Sequence, residues 1–121
     1  MDLVQAHRAS GSTSTSLVLV ERQLARARQA LVERDRLLRH HRIALALLTG
    51  SPERREALIA YARRNLDHWR MSRICSDEYI DRWAAILAGN PEEIAIAITS
   101  DLDGWGTALR QNSPWNGVLP E

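Results

Sequence analysis

Asp77 and Asp81 stand four residues apart with Glu78 beside them, the way one helical turn would offer two carboxylates to a metal or a proton. Such a site needs further ligands, which the neighbouring sequence does not supply. Acids gathered in a first helical turn, where the helix dipole favours them, account for the same residues. Cys75 and His68 are the nucleophile–base candidates, yet seven residues of helix would part them by roughly 10 Å. That exceeds a thiolate–imidazole contact, and Cys75 reads as a small apolar residue near a helix junction. His40 and His41 are adjacent, point in different directions on a helix, and lack metal-ligand spacing. Asp101-Leu102-Asp103-Gly104 opens like a calcium loop with Gly106 at its sixth position. Trp105 then fills a ligand position and Asn112 replaces the closing glutamate, which leaves a turn or helix cap. No catalytic residue, metal or cofactor is expected, and the chain reads as non-enzymatic.

Composition narrows the field further. The chain has 121 residues, 45% of them apolar, enough for one packed domain with an appended segment. No run approaches the roughly 20 apolar residues of a membrane span, and Met1–Ala9 has no secretory-signal pattern. A single cysteine cannot form an internal disulfide, so a cytoplasmic protein without membrane contact is expected. All 16 basic residues are arginine. The absence of lysine excludes lysine Schiff-base chemistry and a Walker-type phosphate loop. The net charge of +1 hides a division: residues 1–75 hold 14 arginines against 7 acids, and residues 76–121 hold 2 against 8.

Those side chains need elements to carry them, and every element reads as helix. Residues 1–16, with the polar tract SGSTSTS, are expected to be a flexible segment with Ser16 as an N-cap. From Leu17 to Leu48 there is no Gly or Pro, and strong helix formers dominate, predicting a long helix over 17–49. Gly50 is assigned the left-handed C′ position, and Ser51-Pro52 starts the next helix. A small helical domain over 50–111 follows. Its inward residues are Leu58, Tyr61, Ala62, Leu66 and Trp69, then Ile80, Trp83, Ala84 and Leu87, then Ile94, Ala95 and Ile98. Residues 112–121 form an irregular tail with turn dipeptides Ser113-Pro114 and Asn116-Gly117. The fold class is all-α: one long amphipathic helix plus a small bundle of three to four shorter helices.

The long helix carries the main functional signal. Leu17, Leu24, Leu31, Leu38 and Leu45 recur every seven residues, drawing an apolar stripe that a second copy or the rest of the chain must cover. With these leucines at heptad position a, position d holds Val20, Ala27, Arg34, His41 and Leu48. The alternative, with the leucines at d, would put Glu21, Arg28, Asp35 and Arg42 at a. Apolar residues encircle the helix near Ile43–Leu48, so the Leu38–Leu48 end is expected to pack in the domain. The Leu17–Leu31 end then self-associates through Leu17, Val20, Leu24, Ala27 and Leu31. Arg22, Arg26, Arg28 and Arg36 are read as a charged rim able to meet phosphates or an acidic partner. A basic leucine-repeat helix invites comparison with basic-zipper DNA binders, but here the arginines lie within the repeat rather than before it. Nucleic acid remains the alternative partner to protein.

Four tryptophans lie in the C-terminal half. Three are assigned to its core, and Trp115 either docks back as a lid or anchors a partner. The segment Tyr79–Leu119, with YIDRWAAILAG and ALRQNSPWNGVL, resembles the C-terminal part of short all-α bacterial proteins of unknown function. Some of these resemble partners of nucleotidyltransferase-like proteins in toxin–antitoxin-type operons. The resemblance covers about a third of the chain and implies a bacterial, regulatory, antitoxin-like role; it carries no active-site residues. The expectation is a helical interaction module that forms homo-oligomers or binds another protein.

Overall fold

The computed structural model describes the backbone of residues 3–101 and 104–117, with side chains from residue 14 onward. Among the described residues the chain is all-helical. The helices are α1 (Leu3–Thr49), α2 (Pro52–Ser72), α3 (Asp77–Leu87), α4 (Pro91–Thr99) and α5 (Gly106–Gln111). The chain divides into two compact units, Met1–Val32 and Glu33–Glu121. The division falls inside α1, not at residues 49 and 50. Ser16 lies within α1 rather than capping it, because the helix begins at Leu3. Serine and threonine are tolerated there at a few tenths of a kcal/mol each (roughly). The end of the tail, residues 118–121, is outside the described residues.

In the first unit the chain is helix alone, and residues 14–32 are all exposed. In the second, the last turns of α1 join α2–α5 around one core. Ile43, Ala44 and Leu47 of α1 meet Leu58, Ala62 and Leu66 of α2, Trp83 and Leu87 of α3, Ile94, Ala95 and Ile98 of α4, Leu109 of α5, and Trp115. Tyr61 and Trp69 flank this core, half-buried, whereas Ala84 is exposed.

The sequence stops and starts its helices by identifiable means. Ser51 Oγ accepts from Arg54 N–H at 3.2 Å, with Pro52 in the first turn of α2. Asn90 and Glu93 form a reciprocal capping box at the start of α4. Ser76 precedes α3 in extended conformation but makes no capping hydrogen bond. Gly50 departs from expectation: it is not left-handed, and it is needed because a Cβ there would lie 2.4 Å from the Ala46 carbonyl oxygen. The left-handed cap sits instead at Arg73, φ 53° and ψ 36°, whose N–H reaches the Trp69 carbonyl. An L-residue there costs about 1–2 kcal/mol, partly offset by the greater backbone freedom of glycine when unfolded. Arg73→Gly is therefore expected to stabilise the bundle by about 0.5–1 kcal/mol, read from the urea midpoint.

Candidate interaction surface on the first helix

The buried side of α1 is not its leucine side. His40, Ile43, Ala44 and Leu47 are buried, while Leu17, Leu24, Leu31, Leu38 and Leu45 are each between 50 and 59% exposed. Val20 and Leu48 are also exposed. Leu45 and Leu47 differ by two residues, about 200° around a helix axis, so one can be buried only if the other faces away. The Leu38–Leu48 end therefore packs in the domain as expected, but through His40, Ile43, Ala44 and Leu47 rather than through Leu38, Leu45 and Leu48. Ala46 packs against that core, while Leu17, Leu24 and Leu31 in the first unit and Leu38 and Leu45 in the second stay exposed.

The expected charged rim separates into different faces. Arg28 flanks the leucines at heptad position e, whereas Arg22 and Arg26, both exposed, lie on the side turned away from them. Arg36 stands one turn before His40 on the packed side, half-buried with one terminal nitrogen buried, and it does not belong to the rim. Ala27 is exposed beside the stripe.

Trp115 is not an exposed anchor but part of the core, at 0% exposure. Its indole N–H donates to the Leu58 carbonyl at 2.9 Å, and its ring meets Trp83 edge-on at 5.8 Å. The lid reading holds because four polar contacts fasten the tail. Trp83 Nε1–H donates to the Asn112 carbonyl at 2.9 Å, and Asn65 Nδ2–H to the Pro114 carbonyl at 2.7 Å. His40 Nε2 and Ser113 Oγ are 2.7 Å apart, and Ser113 Oγ also accepts from Trp115 N–H at 3.1 Å. With His40 Nδ1–H donating to the Arg36 carbonyl at 2.6 Å, Nε2 is the acceptor and Ser113 the donor.

A serine hydroxyl on an imidazole is the contact that activates a nucleophile. Here His40 and Ser113 are 0% and 1% exposed, beneath Trp83 and Trp115, so the pair is closed off from solvent and clasps the tail. Burial lowers the His40 pKa to about 4, keeping it neutral. Sequence reading missed this clasp, whose partners are 73 residues apart and carry no local signature.

The other candidates resolve into structural roles. Asp81 pairs with Arg70 at 3.2 Å, and Asp101 Oδ1 accepts from Gly106 N–H at 2.8 Å, an N-terminal cap for α5. Leu102 and Asp103 lie outside the described residues. Arg82 rests its guanidinium 3.8 Å from the centre of the Trp105 ring. Cys75 is half-buried between α2 and α3. Among the described residues no cluster of His, Cys, Asp and Glu could hold a metal, and no helix is long and apolar enough to cross a membrane. No protein-family model, curated protein or solved structure matches the chain.

Proposed function

We propose that the protein is a non-enzymatic helical interaction module that pairs with a second copy of itself through the leucine face of α1. The observation that carries this reading is the division of labour on one helix: its other face supplies the bundle core, and its regular leucine face is left exposed. Seven apolar residues per chain (Leu17, Val20, Leu24, Leu31, Leu38, Leu45 and Leu48) line that face. Covering the exposed half of each is worth roughly 1 kcal/mol. Fourteen such side chains in two copies supply about 14 kcal/mol; against an association cost of about 6 kcal/mol, within the range of about 4–15 kcal/mol, about 8 kcal/mol remains, the surplus of a micromolar dimer. A bacterial, cytoplasmic, antitoxin-like regulator fits the resemblance of residues 79–119, with the bundle available to a further protein partner.

Sedimentation of the full chain across a concentration series tests the pairing. The wild-type chain should move from monomer to dimer, and Leu24→Asp/Leu31→Asp should stay monomeric with unchanged helical circular dichroism. A wild-type chain that stays monomeric at high micromolar concentration sinks the reading. Exposed Arg22 and Arg26, on the side away from the leucines, favour one second reading, phosphate contact with nucleic acid. A DNA affinity falling steeply with salt would support it.

A further inference from the structure

The charges beside the leucines assign a direction to the pairing, an inference that rests on self-association through α1. We infer that two copies pair antiparallel, in the register that sets Leu17 of one chain against Leu48 of the other. Position e of the heptad holds Glu21, Arg28, Asp35 and Arg42, four exposed residues of alternating sign. In an antiparallel pair, residues at e face residues at e on the other helix. With Leu17 opposite Leu48, Glu21 meets Arg42 and Arg28 meets Asp35, and symmetry repeats both, giving four opposite-charge pairs.

Slipping that register by one heptad destroys the match. One slip sets Arg28 against Arg28 and Glu21 against Asp35; the other sets Asp35 against Asp35 and Arg28 against Arg42. Every e pair then carries like charge, and one apolar layer at each end loses its partner. Alternating sign thus specifies a single register.

The core positions agree. A parallel pair in register would set Arg34 against Arg34 and His41 against His41 at the centre of the interface. Its flanking g-to-e contacts would be Ser16–Glu21, Gln23–Arg28, Ala30–Asp35 and Leu37–Arg42, none of them a charge pair. In the antiparallel register the layers are Leu17–Leu48, Val20–Leu45, Leu24–His41, Ala27–Leu38 and Leu31–Arg34, each occurring twice. Each polar residue then faces a leucine, and Arg34 can lay its apolar stem on Leu31 while its guanidinium reaches water. The other flank, Gln23–Ala44 and Ala30–Leu37, is uncharged and leaves the direction to the e positions.

Charge exchange and cross-linking in the full chain test the assignment. Glu21→Arg should weaken dimerisation about tenfold, and adding Arg42→Glu should restore it. A parallel pair predicts no restoration, because these residues would not face each other. In a Cys75→Ser background, Val20→Cys should form a disulfide with Leu45→Cys on mixing, and not with itself. A dimer in which Val20→Cys cross-links to itself overturns the direction while leaving self-association standing. A wild-type chain that sediments only as monomer overturns both.

Discussion

Trp115→Ala is expected to lower the unfolding free energy of the bundle by about 3–5 kcal/mol, the largest loss of any single side chain beyond α1–α5. The residue lies in a short irregular segment, where substitutions ordinarily cost little. Its cost is high because its ring is fully buried between α2 and α3 and its indole N–H is spent on the Leu58 carbonyl. Removing it leaves a cavity bordered by Trp83 and His40. Domains of this size have a total stability of about 5–15 kcal/mol, so the loss is a large fraction of the whole. Trp115→Phe keeps most of the ring and loses the indole bond, and should cost about 1–2 kcal/mol. Urea titrations followed by circular dichroism measure both. Equal midpoints for wild type and Trp115→Ala would show that the tail does not contribute to the core.

How far the sequence revealed this arrangement depends on which interactions are local. Ser51-Pro52 acts within four residues and was legible as a helix start, and the Asn90–Glu93 box at the start of α4 is equally local. Ile80, Trp83 and Leu87 repeat at helical spacing in a helix with one apolar side, so their burial was legible too. The end of α1 was ambiguous for a physical reason: apolar residues occupy all sides of Ile43–Leu48, and periodicity cannot choose a face when several are apolar. The bundle uses the side bearing Ile43 and Leu47, and that choice leaves the leucines exposed. His40 gave no signal because a histidine among arginines reads as solvated. Its burial follows from its helical alignment with Ile43, Ala44 and Leu47, one turn and two turns on.

His40 should make the bundle acid-sensitive at a pH well above that of carboxylate protonation. In the unfolded chain its imidazole titrates near 6.5, and in the fold at about 4. Burial is the main cause. The Arg36 carbonyl, which favours the protonated ring, opposes it, while Arg110 from α5 and Arg39 and His41 on α1 lower the pKa further. A pKa depressed on folding means that the unfolded chain binds the proton more tightly. The contribution to stability is therefore complete above about pH 6.5 and is lost as pH falls toward 4, at roughly 1.4 kcal/mol per unit and about 3 kcal/mol in all. Protonation would also put a second donor at Nε2, against a serine oxygen that already accepts from Trp115 N–H, so the hydroxyl would have to turn. His40→Gln removes the titration and lowers stability at pH 7. Urea midpoints between pH 7 and pH 4 should converge as the wild type loses its advantage. Parallel curves across that range would mean that His40 is not held neutral by burial against Trp83 and Trp115, and that the Ser113 clasp does not depend on its charge.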